Sequence, residues 1–482
     1  MQKLYINLLL SIGISSLCLL SPLQAQVSSP AGFMHYHPLF SGDNPARFTH
    51  ANGYVGLPGY SNLQIKLLNS LVKLNHMLRY DHEGYPTAID LDNWVDKLKL
   101  NNNWLRFELN EELIGFGFRE KFLFFTVSFN FHADAGLKAS KDLFGLFVKG
   151  NMNYLGDQTA ELKAMVNANA YTELSLGVQA QVNKRIYIGA RPRLLFGLAQ
   201  VRTKSLEASV HTNPETYDVT LKYSADAEAR SVLPLLAEDN TLQFGQFNVA
   251  DMLGKMGKNM GFAIDLGAVY RINQRFGVEL SVHDLGFIRW RTEGVRFQSA
   301  VQNGGNFYEN GSFKLSGLTS DIVKAILNQD NKPLNNFIDS LSSYFPNDLK
   351  QTTGSWTTML NTRIHIGGYF DLTPKHRFMV QMQGLIIGKS FLPAVTVAYS
   401  GRISDFFDIS VPYTIMPGSY DNLGLGIGFN IYGLYLYAAT QNALFMRRGL
   451  GSQLNLQLGI VVNWGYKKAQ EQVLKPIDRI HY

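Results

Sequence analysis

Residues 453–464 read Gln453-Leu454-Asn455-Leu456-Gln457-Leu458-Gly459-Ile460-Val461-Val462-Asn463-Trp464, and their alternation decides the fold class. Leu454, Leu456, Leu458, Ile460, Val462 and Trp464 share one face, while Gln453, Asn455, Gln457, Gly459 and Asn463 lie on the other. A period of two marks a strand with unlike faces, because successive side chains point to opposite sides of the pleat. Residues 422–431 repeat it, with Leu423, Leu425, Ile427, Phe429 and Ile431 against Asn422, Gly424, Gly426, Gly428 and Asn430. So do residues 173–182, where Leu174, Leu176, Val178, Ala180 and Val182 face away from Glu173, Ser175, Gly177, Gln179 and Gln181. Leu123, Phe125, Val127, Phe129 and Phe131 form another such row.

A periplasmic β-sandwich or propeller would also alternate, so length has to separate the readings. Soluble strands run about 5–6 residues, whereas a tilted membrane-crossing strand needs about 9–11. The segments here are of the longer kind, and aromatic residues gather at their ends: Trp104, Trp290, Tyr399, Tyr413, Trp464 and Tyr466. That is where interfacial girdles sit. Composition agrees. Only 17% of the 482 residues are charged and 46% are hydrophobic, yet no apolar run after the N-terminus approaches the about 18 residues of a membrane helix.

The pattern places strands near 53–69, 102–116, 121–133, 169–182, 185–200, 260–272 and 275–290. Seven more follow near 361–372, 376–388, 391–401, 405–416, 421–430, 434–441 and 452–464. The total is even, as a single-chain bacterial barrel requires. Residues 117–120, 183–184, 273–274, 373–375, 402–404 and 431–433 are tight turns on one side. Residues 70–101, 134–168, 201–259 and 291–360 are long and fall on the other, the asymmetry of short periplasmic turns and long external loops. The expected fold is all-β: a transmembrane antiparallel β-barrel of about fourteen strands over residues 53–466, with an N-terminal plug segment and long external loops.

The ends read differently. Lys3, an apolar stretch from Leu8 to Leu20, and Leu23-Gln24-Ala25 before Gln26 make residues 1–25 a signal peptide. The only cysteine, Cys18, follows bulky Leu17 and precedes more apolar sequence, which excludes a lipoprotein site. The mature chain then has no disulfide, thiolate or cysteine-bound metal. The formal charge of +6 includes Lys3 and so becomes +5, without a basic run that would suggest nucleic acid. Residues 26–52 do not alternate and read as a plug; residues 467–482 form a charged tail. Within the loops, residues 205–224 read as a hairpin about Thr212-Asn213-Pro214-Glu215, residues 319–344 as two short helices, and residues 87–98 as a weaker helical stretch.

Asn44-Pro45-Ala46, just before the first strand, resembles the N-terminal signature of the long-chain fatty acid transporter superfamily. That superfamily includes toluene-type hydrocarbon channels and the PorV-like barrels of the type nine secretion system. Gly189-Ala190-Arg191-Pro192-Arg193-Leu194-Leu195-Phe196-Gly197-Leu198-Ala199 is similar to a Bacteroidota family labelled as a domain of unknown function. So are Gly261-Phe262-Ala263-Ile264-Asp265-Leu266-Gly267-Ala268 and Asp284-Leu285-Gly286-Phe287-Ile288-Arg289-Trp290, with the resemblance spanning most of residues 30–465. It implies a fourteen-stranded barrel with a plug built around Asn44, Pro45 and Ala46. The fatty-acid-binding residues of the transporter branch have no matching motif here, so none is carried over.

Few residues suggest chemistry. His283-Asp284 is the one suggestive neighbour pair, and on a regular strand these would point to opposite faces and meet only at a bulge. His35 and His37 could share a face of the plug but lack a third ligand, so no metal and no cofactor are expected. Arg191, Arg193, Asp265 and Glu279 lie on polar faces and are candidates to line the lumen, either as a brace between barrel and plug or along a solute path. Pro192, Pro393 and Pro412 each delete a ladder hydrogen bond; Pro393 and Pro412 are expected at similar heights, as a seam in the wall. The leading expectation is an outer-membrane protein, not an enzyme, that passes hydrophobic or amphipathic small molecules. The alternative is a PorV-like barrel that docks a secretion or surface-protein partner. Outer-membrane lipids are partners in both, and nucleic acid in neither.

Overall fold

In the computed structural model, the described residues are 29–34, 37, 39–49, 51–71, 74–82, 85–215, 219–232, 254–298, 306–308, 349–387, 390–416, 419–443 and 453–465. The expected leader, the charged tail and the helices expected at 319–344 lie outside them.

Fourteen strands form one closed antiparallel sheet. They are β1 (Gly53–Gly56, continuing as Leu63–Asn69), β2 (Asn103–Glu120), β3 (Leu123–Ala139), β4 (Thr159–Gln181) and β5 (Ile186–Thr212). Next come β6 (Met260–Arg271), β7 (Phe276–Trp290), β8 (Trp356–Met359, continuing as Thr362–Thr373), β9 (His376–Ile387) and β10 (Ser390–Arg402). The last four are β11 (Phe407–Met416), β12 (Ser419–Leu423, continuing as Leu425–Ile431), β13 (Leu434–Thr440) and β14 (Gln453–Trp464). β1 pairs with both β2 and β14, Tyr54 opposite Gly117 on one side and Asn463 on the other. Closure removes every edge, which lets a sheet stand in a medium without hydrogen-bond partners.

The faces are inverted relative to a soluble protein. Ile188, Val278, Leu280, Val380, Val397 and Val462 are exposed on the outside, whereas Ser281, Gln381, Gln383, Thr396, Asn455 and Gln457 are buried inside. An outward apolar wall around a polar lumen is stable in lipid and costly in water. No helix among the described residues is long and apolar enough to cross a membrane.

The short turns follow from local chemistry. In Asn183-Lys184-Arg185, the Asn183 carboxamide oxygen accepts from the backbone N–H of Arg185 and Ile186, both at 2.8 Å. Asn273-Gln274-Arg275 repeats this with Arg275 and Phe276, again at 2.8 Å. An Asx cap satisfies backbone donors that a tight turn would leave bare.

Several boundaries depart from the sequence reading. β1 is interrupted at 57–62, where Pro58 and left-handed Gly59 (φ 72°) turn the chain out of the ladder. β3, β4 and β5 run into segments expected to be loops, and β4 and β5 reach 23 and 27 residues. The alternation goes on there, with Ala135, Leu137 and Ala139 against Asp134, Gly136 and Lys138 in β3 and Ala160, Leu162, Ala164 and Val166 against Thr159, Glu161 and Lys163 in β4, but largely on small residues that mark a strand weakly. β5 goes on to pair with Val219–Ser231, Ser205 opposite Asp226 and Thr212 opposite Val219, so the expected hairpin is present, with Pro214 and Glu215 in its turn. Gly294–Gln298 and Leu349–Thr352 extend this sheet beyond the barrel. Helix Leu91–Asp96, capped by Asp90, falls inside the stretch read as helical. Helix Lys141–Lys149, capped by Ser140, was not read; it packs Phe144 on Trp94.

Candidate functional site

The N-terminal segment lies inside the barrel. Asn44-Pro45-Ala46 forms a turn: the Arg47 N–H donates to the Asn44 carbonyl at 3.0 Å, and the Ala46 N–H donates to the Asn44 side-chain oxygen at 2.9 Å. Pro45 supplies the fixed φ suited to the second position of such a turn. The turn rests on two wall glycines that pair with each other, Gly189 of β5 and Gly267 of β6. A Cβ on Gly189 would lie 2.6 Å from the Ala46 nitrogen, and one on Gly267 would lie 3.0 Å from it. Only glycine leaves room for backbone to approach the wall this closely.

Arg47 fastens the segment. Its Nε and Nη2 reach the two carboxylate oxygens of Glu279 at 2.9 and 2.5 Å, and its Nη1 donates to the Gly32 carbonyl at 2.7 Å. The two side chains of this pair are 2% and 6% exposed, so it is fully desolvated. The Asp43 carbonyl accepts from Ser281 Oγ (3.0 Å), His283 Nε2 (2.7 Å) and His365 Nδ1 (3.2 Å). Arg191 donates to the Gly42 carbonyl, Gln179 to the Arg47 carbonyl and Arg119 to the Thr49 carbonyl. Apolar contacts complete the seat: Phe33 and Ala46 pack with Tyr187, Val269 and Met379, and Met34 with Phe124 and Val461. His37 lies edge-on between Tyr435 and Tyr437, at 5.1 and 4.0 Å between ring centres. His35 lies outside the described residues.

Above the segment, the pairing of β6 and β7 shifts register between Ile264 and Leu266. Asp284 takes the left-handed conformation (φ 58°). The bulge turns His283 and Asp284 to the same, inner side, and both line the cavity described below. Asp284 and Asp265 then converge on Arg193, whose Nη2 lies 2.6 Å from one and 2.9 Å from the other, while Nη1 meets Glu173 at 2.9 Å. Arg363 completes the far side of Asp284 at 2.6 Å, and Arg191 meets Asp265 at 3.1 Å. The chain of charges ties β4, β5, β6, β7 and β8 together across the wall.

The four charged candidates from the sequence are thus placed: Arg191, Arg193 and Asp265 in this network, Glu279 on Arg47. Arg47, Glu173 and Arg363 were not singled out. A signal for the bulge was present, because apolar residues occupy Val278, Leu280 and Val282 and then Leu285 and Phe287, a change of parity across 283–284.

Ser281 Oγ, His283 Nε2 and Asp265 stand in the order of a hydrolytic triad, at 2.9 Å and then 3.6 Å. Both Ser281 and His283 are spent on the Asp43 carbonyl, and Asp265 on the two arginines, so the set reads as a seat for the segment. Among the described residues, no group of three or more His, Cys, Asp or Glu is placed to hold a metal ion.

The prolines do not make one seam. Ala398 lies opposite Pro412 and the β10–β11 ladder is continuous from Val395 to Arg402, whereas Pro393 lies opposite Gly384 of β9. The two are therefore not level: Pro393 sits five positions along β10 from the partner of Pro412, because the turn between the strands is centred beyond Ser404. Pro192 lies at a local gap, where the β4–β5 ladder skips from Ser175–Arg193 to Val178–Ala190.

Between the segment and the long-loop end lies a cavity of about 790 Å³. One part of its wall is charged or amidic, including Lys66, Glu108, Asn110, Glu173, Asp265 and Asp284. Another is apolar, including Ile288, Trp290, Leu360, Leu385 and Leu392. The apolar part is backed by packed clusters around Leu195 and Trp290 and around Leu385 and Met416.

Among solved structures, the chain is similar to the Pseudomonas putida toluene transporter TodX at 8% identity and a TM-score of 0.41, over 91% of this chain and 98% of that one. It is similar to a FadL homologue of Pseudomonas aeruginosa at 10% identity and a TM-score of 0.40, over 92% and 99%. The CymD monoaromatic hydrocarbon channel aligns at 8% identity and a TM-score of 0.35, over 92% and 99%. At these scores none of the three bears on what this chain carries. Comparison with curated proteins gives no match. A family model described as "Family of unknown function (DUF5723)" matches residues 45–441, and the chain belongs to that family.

Proposed function

We propose that the chain is an outer-membrane channel, closed by its own N-terminal segment, that admits amphipathic small molecules. The apolar outer wall suits a bilayer, and the expected leader would bring the chain to the outer membrane. The observation that carries the reading is the divided cavity. A water-filled pore for small polar solutes has no use for Trp290, Leu385 and Leu392 facing its lumen, and a purely hydrophobic solute has no use for the charges opposite. A solute entering from the long-loop end meets the seated segment as a floor, so passage requires the segment to yield.

Liposomes loaded with β-galactosidase test this. 4-Nitrophenyl galactoside, with an apolar ring, should enter through the wild-type protein faster than lactose, and deletion of residues 29–49 should admit both. Equal entry of the two through the wild type, or entry of neither through the deletion variant, would contradict the reading.

A further inference from the structure

The short turns of the barrel do not carry the same charge. In three successive turns the last residue holds one place in the ladder, because its carbonyl accepts from the strand that follows. Arg185 accepts from the Arg271 N–H at 2.7 Å, Arg275 from Asp371 at 2.8 Å, and Lys375 from Arg402 at 2.8 Å. Phe406 holds the same place in the β10–β11 turn, accepting from Asn430 at 2.8 Å. Three turns thus put a cation where the next puts a phenyl ring. Arg185, Arg275 and Lys375 are exposed, as is Lys184 beside the first, and no ion pair among the described residues engages any of them. The rest of the rim is neutral or acidic. Exposed Glu120 stands beside Lys121, the β10–β11 turn exposes Asp405, and Tyr432-Gly433 carries no charge. Arg402 is buried and donates to the Ser404 and Asp405 carbonyls at 3.3 and 2.8 Å.

Three residues before each cation the apolar wall ends, at Val182, Ile272 and Leu372, all exposed on the outer face. The charges therefore stand one step beyond the hydrocarbon, at the depth of lipid headgroups, where long cationic side chains can lay their stems on the wall. Successive turns are two strands apart, roughly 10 Å, which is comparable to the Debye length, so their fields add. A soluble acidic partner has no use for the apolar border, whereas an anionic lipid uses both parts. We infer that Arg185, Arg275 and Lys375 form an arc that holds anionic phospholipid by its head against one side of the barrel. The side over the β10–β11 and β12–β13 turns lacks this preference. The inference needs only a barrel standing in a bilayer and is independent of what crosses the lumen.

The test is the lipid selectivity of the full mature chain in bilayers, read by quenching of tryptophan with brominated lipid. Phe276 is exposed beside Arg275, so Phe276→Trp adds a reporter on the arc. Trp464, the exposed one of the five native tryptophans, reports from the end of β14, half the barrel away. Brominated phosphatidylglycerol should be favoured over brominated phosphatidylcholine about fivefold at the reporter, the effect of roughly one cation at an anionic surface, and not at Trp464. Arg185→Gln, Arg275→Gln and Lys375→Gln together should abolish the preference, Arg185→Lys with Arg275→Lys should keep it, and salt of about 1 M should weaken it. Heat-modifiable mobility checks the folding of each variant. Ile272→Trp replaces the reporter if Phe276→Trp misfolds, and the salt titration carries the test if the triple variant does. No preference at the reporter, an equal one at Trp464, or one that survives the triple substitution or the salt would overturn the inference. The channel reading stands or falls separately, on entry into the liposomes.

Discussion

Cutting the Arg47–Glu279 pair should unseat the N-terminal segment by an amount that the structure sets. Both side chains are desolvated and bidentate, so Arg47→Met or Glu279→Leu alone leaves one buried charge without its partner. Such a loss costs about 3–5 kcal/mol, whereas replacing both partners by apolar residues is close to neutral. Every about 1.4 kcal/mol is a factor of ten in population. Each single variant should therefore raise the open population on the order of a hundred- to several-thousandfold, and the double variant should return most of the way. The assay is thiol accessibility. Cys18 is the only native cysteine and falls in the expected leader, so Thr49→Cys introduces a unique thiol. Thr49 is fully buried and its hydroxyl has no hydrogen-bond partner, so the substitution removes no bond. Where closing outpaces labelling, the rate with a water-soluble maleimide follows the open population. Single variants labelled at the wild-type rate, or a double variant labelled as fast as the product of the two singles, would refute the argument.

Two further outcomes follow from local geometry. Gly189→Val should displace the Asn44-Pro45-Ala46 turn, because its Cβ has no room beside Ala46; Thr49→Cys labelling should rise while heat-modifiable mobility still reports a barrel. Tyr432→Asn should stabilise the barrel by about 0.5–1 kcal/mol in urea titration, because Tyr432 holds φ 52° in the Ile431–Leu434 turn and asparagine adopts that conformation more readily.

The strands were legible because a membrane wall writes its two environments into alternate residues. Thus Leu454 to Trp464 and Phe276 to Val282 announce both their strand and its outward face. The same rule explains what was missed. Where β4 runs back past residue 169, Ala160, Leu162, Ala164 and Val166 still alternate but are mostly small, and in β5 Arg202, Thr203, Lys204 and Ser205 are polar in succession, so it is the ladder that shows plainly that the strands go on. Inside, inward parity placed Arg191, Arg193, Asp265 and Glu279, but parity says nothing of partners. Arg47 meets Glu279 across 232 positions, and Gly189 meets Gly267 only because β5 lies beside β6. His283-Asp284 was correctly confined to a bulge, and the parity change at Val282–Leu285 would have located it.

The central claim is that solute passes only when the N-terminal segment yields, and a reversible lock tests it most directly. Ala31 of the segment and Ala439 of β13 are buried in one packed cluster, so Ala31→Cys with Ala439→Cys should tether segment to wall by a disulfide. In β-galactosidase liposomes, oxidation should stop entry of 4-nitrophenyl galactoside, and dithiothreitol should restore it. Entry at the same rate in the oxidised, thiol-depleted protein and in the reduced one would contradict the account.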